Sequence, residues 1–246
     1  MVAIACKNIV FSDIKAIIFD KDGTLEDSQA FWLKVGIERA SLIEEQIPGI
    51  KESLLKAFGI QNGQLNPEGL MAVGSRRDNE IVAAGYIAHR GISWFEAQKI
   101  ARQAFIAAEQ RTDKTSELSP LFPHSLTTLQ SLAKNGLKLG ILSADSTLGV
   151  QTFVAHHNLK DYIQLNMGSD GMFSKPDPKL FLQACQALEV APANTLMVGD
   201  SVGDIEMAKT AGAKGTIGIC PNSRSSYLDR ANVQIGSISE IQILQS

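Results

Sequence analysis

Two aspartates one residue apart, Asp20 and Asp22, end a short apolar run and lead into the Gly23-Thr24 turn. Held that close on one loop, the two carboxylates repel, and an unpaired buried charge is costly. A divalent cation, or a division of labour in which one acid stays protonated, removes the conflict, so the pair itself points to chemistry. Similar residues stand beside later apolar runs. Ser143 ends one, Lys175 lies ahead of a helical pattern, and Asp200 and Asp204 follow another. Ligands of open parallel sheets sit beyond the carboxyl ends of the strands, so a hydroxyl, an ammonium and four carboxylates are expected to converge at one edge.

The elements that must position these groups follow from periodicity. Residues 15–19, 137–142, 163–167, 195–198, 215–219 and 233–235 read as strands, and amphipathic helical patterns lie between most of them. Pro178 just after Asp177 marks one helix start, and Gly136 and Gly212 mark helix ends. Alternation of this kind predicts an α/β fold with a Rossmann-like, doubly wound parallel sheet. The stretch between Asp20 and Ser143 is far longer than an ordinary crossover, and residues 26–116 carry almost no strand signal. We therefore expect an inserted all-helical domain at 26–116 and a core made of 1–25 and 117–246. Within the insertion, helices are expected at 28–47 with a cap at Asp27-Ser28, at 50–58, at 77–89, and after a capping box formed by Ser93 and Glu96. Ala97, Ala101, Ala104 and Ala108 form a close-packing face, and residues 59–74 read as a connecting loop. Residues 8–11 are expected to add a small strand, and the C-terminus a helical tail.

Composition narrows the classes of function. The 246 residues are 44% hydrophobic and 20% charged, ordinary globular usage that excludes a disordered chain. A net charge of −3 supplies no basic field for nucleic acid or an anionic membrane, so an anionic substrate must find its positive partners locally. Three scattered cysteines, Cys6, Cys185 and Cys220, lack CxxC spacing and point to a reducing compartment. With neither a signal-peptide pattern nor a membrane-length apolar run, a cytoplasmic location is expected. His89, His124, His156 and His157 show no ligand spacing with acids and are assigned to helix surfaces and caps; Trp32 and Trp94 are read as packing residues.

The motifs resemble those of the haloacid dehalogenase superfamily. Its D-x-D-G-T motif is similar to Asp20-Lys21-Asp22-Gly23-Thr24, its strand-ending Ser or Thr to Ser143, its Lys to Lys175-Pro176, and its G-D-x-x-x-D to Gly199 through Asp204. The four occur in order, and the helical insertion sits where this superfamily carries its C1-type cap. The Lys175-Pro176-Asp177-Pro178 form resembles the phosphoglycolate phosphatase and β-phosphoglucomutase branch.

That resemblance implies roles. Asp20 is the expected nucleophile, forming an aspartyl-phosphate, and Asp22 the expected acid and base. Magnesium is the implied cofactor, held by Asp20, Asp200, the backbone carbonyl of Asp22, and Asp204 directly or through water. Ser143, the backbone N–H of Ala144 and Lys175 are expected to hold the phosphoryl oxygens. An acid at position 22 favours phosphoester chemistry over dehalogenation. Lys21 is expected to point away from both acids by strand alternation, and Glu26 and Asp27 to serve capping and hinge geometry. Arg76 and Arg77 read first as a solvated pair, with cap contact to substrate as the alternative. The expected enzyme is a magnesium-dependent phosphatase of small phosphorylated metabolites. Its alternatives are a phosphomutase of the β-phosphoglucomutase type and a non-catalytic binding protein; monomer and dimer are both compatible with the sequence.

Overall fold

Four consecutive residues, Ala16 to Phe19, are all buried although a strand sends successive side chains to opposite faces, so both faces of their sheet must be covered. The computed structural model describes residues 2–112, 119–170, 172–221 and 226–244. In chain order the first unit contributes β1 (Val2–Cys6), β2 (Ile9–Ile14) and β3 (Ala16–Phe19). The insertion follows with α1 (Gln29–Gln46), α2 (Lys51–Ala57), β4 (Ile60–Gln61), β5 (Gln64–Leu65), α3 (Leu70–Val73), α4 (Arg76–His89) and α5 (Trp94–Arg111). The first unit resumes with α6 (Ser125–Lys134), β6 (Lys138–Leu142), α7 (Thr147–His156), β7 (Leu165–Met167), α8 (Pro178–Ala187) and β8 (Thr195–Gly199). It closes with α9 (Val202–Thr210), β9 (Gly215–Ile219), β10 (Val233–Ile235) and β11 (Ile241–Leu244).

The six-stranded sheet has the order β10-β9-β8-β3-β6-β7, and every pair in it is parallel. This is the doubly wound α/β architecture expected. Ile17 and Phe19 pack on one face with Leu139, Ile141 and Val198; Ala16 and Ile18 pack on the other with Phe181 and Met197. Burial on both faces explains why these strands read as unbroken apolar runs. The central position of β3, flanked by β8 and β6, brings the ends of three motif-bearing strands side by side.

The chain divides into Met1–Asp27 with Leu121–Ser246, and Ser28–Pro120. The expected boundary at 116/117 lies outside the described residues. At the neck, Phe122 N–H and Ser125 Oγ both donate to the Leu25 carbonyl at 3.0 Å, tying together the outgoing and returning chain. The inserted unit has its own core, in which Ala97, Ala101, Ala104 and Ala108 of α5 are buried with Val35, Ile43, Leu54 and Phe58. Its α4 begins with a capping box between Ser75 and Asp78.

Several expectations change. The connecting loop at 59–74 contains a small antiparallel ladder and the short α3: Asn62 and Gly63 both take positive φ, the signature of a tight hairpin turn between Ile60 and Leu65. The insertion is therefore not purely helical. Ser93 and Glu96 make no capping box; Glu96 pairs with Lys99 at 3.4 Å. Trp32 packs against the inserted core, whereas Trp94 is exposed. The C-terminal tail is a 3-10 turn followed by β11, which joins β1 and β2 in an antiparallel sheet of order β11-β1-β2. Ile241-Gln242-Ile243 has the two-residue alternation of a strand, but its partner lies at the opposite end of the chain, beyond the reach of local periodicity. No described helix is long and apolar enough to cross a membrane.

Candidate active site

Strand β3 ends at Phe19 and releases Asp20, whose N–H donates to the Val198 carbonyl of β8 at 2.8 Å. The Lys21 carbonyl then accepts from Leu25 N–H at 2.9 Å and Glu26 N–H at 3.2 Å, winding the motif into a tight loop. Gly23 completes it at φ +78°. A Cβ there would fall 2.0 Å from Asp200 Oδ2, so the absent side chain makes room for the carboxylate arriving from β8.

Asp20, Asp200 and Asp204 each bring one carboxylate oxygen within 4.8 Å of the others. Asp204 is the third residue of α9 and forms a capping box with Ser201, whose Oγ donates to Oδ2 at 2.7 Å. Its Oδ1 lies 2.7 Å from the Lys175 ammonium, which also pairs with Asp20 Oδ1. One ammonium thus pairs with two of the three clustered carboxylates. Burial pushes the Asp20 carboxyl up to about 7 despite Lys175, with Asp204 and Asp22 adding to the rise. Asp200 is also raised well above the usual carboxylate range, first by burial and then by Asp20 and Asp204. Burial works against the Lys175 cation, yet Asp20 and Asp204 hold its pKa above the ordinary lysine value. A buried, hard-oxygen cluster short of positive charge fits a divalent cation such as magnesium.

Ser143 follows β6 on the other side of β3. Its N–H donates to the Met167 carbonyl at 3.0 Å, and its Oγ accepts from Asp145 N–H at 3.1 Å, leaving the hydroxyl hydrogen for another acceptor. Ala144 follows on the same loop. The carboxyl edge of β6, β3 and β8 thus carries Ser143, Asp20 and Asp200.

Residues 14–212 match the haloacid dehalogenase-like hydrolase family. The protein belongs to it. Among curated relatives of this haloacid dehalogenase-like hydrolase, phosphoglycolate phosphatase of Escherichia coli is 29% identical over 219 residues, covering 88% of this chain and 83% of that protein. N-acetylmuramic acid 6-phosphate phosphatase of Pseudomonas putida is 27% identical over 202 residues, covering 82% and 81%. A solved structure of a predicted phosphoglycolate phosphatase from Haemophilus somnus superposes with a TM-score of 0.71 at 18% identity, covering 93% of this chain and 96% of its own. It shares the fold. The family and the phosphatase relatives support the expected class, a phosphatase of phosphoric monoesters.

Two residues of this haloacid dehalogenase-like hydrolase, Lys21 and Glu26, differ from their expected settings. Lys21 does not turn away from the acids: it is fully buried, with its ammonium 2.6 Å from Asp22 Oδ2, 3.0 Å from Glu26 Oε1 and 3.2 Å from Asp145 Oδ2. Strand alternation fails here because Lys21 lies beyond β3, in the loop. Glu26 is a buried anion paired with Lys21 rather than a cap. Asp145 carries no local sequence signal of this pairing, because its partner is distant along the chain. In the inserted unit, Arg76 and Arg77 are exposed at the start of α4, and Arg76 Nε pairs with Glu109 Oε1 at 2.8 Å. The sequence offered no sign of buried Arg39, which reaches the same Glu109 oxygen at 3.4 Å and lies 4.1 Å from the Phe105 ring. Cys6, Cys185 and Cys220 are free; burial pushes the first two thiols up to about 12 and about 11, so they stay protonated.

Proposed function

We propose that this protein is a magnesium-dependent phosphatase of small phosphorylated metabolites that works through an aspartyl-phosphate on Asp20. The observation that carries the reading is the meeting of Asp20, Asp200, Asp204 and Lys175 beside Ser143 at one sheet edge. Asp20 attacks phosphorus; as its O–P bond forms, the bond to the leaving oxygen breaks, and Asp22 gives that oxygen its proton. Asp22, now ionised, takes a proton from the water that cleaves the acyl phosphate. Inorganic phosphate leaves and both acids return to their starting state.

Ser143 Oγ–H, the Ala144 N–H and the Lys175 ammonium donate to the transferring oxygens, where charge accumulates. Asp20, Asp200 and the Asp22 carbonyl would hold magnesium, with Asp204 direct or through water. Bound there, the cation neutralises the repulsion between a carboxylate nucleophile and an anionic phosphate. Of the two cap arginines, Arg77 is the better candidate for substrate contact, because Arg76 is engaged by Glu109. We place the enzyme in the cytoplasm, consistent with its free cysteines.

The test is phosphate release from a panel of monoesters in magnesium, beginning with 2-phosphoglycolate and N-acetylmuramic acid 6-phosphate, the esters named for its relatives. Release from one or more, stopped by EDTA and absent in Asp20→Asn, supports the reading. Isomerisation of a hexose phosphate without release would make it a mutase, and binding without turnover a non-catalytic protein.

A further inference from the structure

We propose that Lys21 is a positioning residue for the Asp22 carboxylate, a role built from its buried contacts with Glu26 and Asp145. The inference rests on the reading of Asp22 as acid and base. An ammonium has three N–H donors, and here three carboxylates surround it at 2.6 to 3.2 Å. The carboxylates differ in setting. Glu26 is fully buried and serves as the fixed anchor, whereas Asp22 and Asp145 are partly exposed. Phe153 closes the apolar side, its ring centroid 5.9 Å from the ammonium. Burial works against the Lys21 charge, and Asp22, Glu26 and Asp145 outweigh it.

The arrangement joins three parts of the chain. Glu26 lies at the neck of the insertion, Asp22 on the loop after β3, and Asp145 on the loop after β6. Asp145 also donates its N–H to Ser143 Oγ and accepts from Ser146 N–H at 2.6 Å. Contacts therefore run without a break from Asp22 through Lys21 and Asp145 to Ser143. An acid that must meet a leaving oxygen gains from being held in one direction, since proton transfer demands hydrogen-bond geometry. A lysine stem buried along its length provides such a fixed post, which a side chain tethered in solvent would not.

The test compares substrates that do and do not need the acid. An alkyl phosphate expels a strongly basic oxygen and requires its proton; p-nitrophenyl phosphate expels a weakly basic one and does not. Asp22→Asn sets the benchmark. Lys21→Met is measured beside Lys21→Met/Glu26→Gln, which leaves no buried unpaired anion and so guards against misfolding. We expect the single-turnover rate of leaving-group release, which precedes the base-requiring hydrolysis of the acyl phosphate, to fall about 10²-fold for the alkyl phosphate in the lysine variants and less than about 10-fold for p-nitrophenyl phosphate, with the same pattern in Asp22→Asn. If Asp22→Asn is selective while the lysine variants lose both activities equally, or neither, the positioning role is overturned and the acid–base reading stands. If Asp22→Asn itself shows no selectivity, that reading falls and the inference with it.

Discussion

Replacing Asp20 by Asn is expected to stabilise the metal-free protein while ending turnover. Asp20 is buried, and burial raises its carboxyl from 3.8 to about 7. The unfolded chain releases that proton near pH 4, the folded chain near pH 7. Between those values the folded state binds more protons, so the stability present below pH 4 is lost as pH rises through about 7. At about 1.4 kcal/mol per pH unit, the gap amounts to at most about 4 kcal/mol, reached in full by pH 8. Asparagine keeps the shape and cannot ionise, but it leaves Lys175 with Asp204 alone, so a net gain of about 2 kcal/mol is expected. Thermal unfolding in EDTA from pH 4.5 to 8 measures it. The variant should melt about 4–8 °C above wild type at pH 8, and the difference should shrink towards pH 4.5. Magnesium should raise the wild-type melting temperature and narrow the gap. A variant that melts lower at pH 8, or a difference that ignores pH, refutes the claim that uncompensated charge strains this site.

Three further substitutions probe other parts. Ser143→Ala removes one donor to the transferring oxygens and should lower kcat about 10²-fold with an unchanged melting temperature; a wild-type kcat would remove Ser143 from the site. Gly23→Ala forces a side chain into a positive-φ position against Asp200, so stability should drop by about 1–3 kcal/mol in denaturant and magnesium affinity should fall, and retention of both would contradict the packing of that loop. Arg39→Ala strips a buried guanidinium from Phe105 and Met71 and should cost about 2–4 kcal/mol in denaturant unfolding; no change would mean those contacts contribute nothing.

Much of the core was legible because its signals are local. Strands buried on both faces leave apolar runs, the Asp177-Pro178 start of α8 and the Gly212 stop after α9 are written in a few adjacent residues, and the order of elements implies a parallel sheet. The hairpin at Ile60–Leu65 was also locally encoded, in Asn62-Gly63, but each strand is only two residues long and too short to show alternation. The terminal sheet was hidden for a different reason: β1 and β11 pair across nearly the whole chain, and neither strand carries information about its partner.

The candidate site divides the same way. Residue type and motif order named Asp20, Asp22, Ser143, Lys175, Asp200 and Asp204, since chemistry demands those groups and the strand ends present them. What only the tertiary structure decided is how charge is shared among them. Lys175 lies between Asp20 and Asp204, Gly23 yields space to Asp200, and Lys21 turns inward to Asp22, Glu26 and Asp145. Such pairing depends on distances between loops that separate strands deliver, and on burial that turns a weak surface attraction into a strong one. The sequence by itself determined which groups are available for chemistry; their protonation and direction come from the folded neighbourhood.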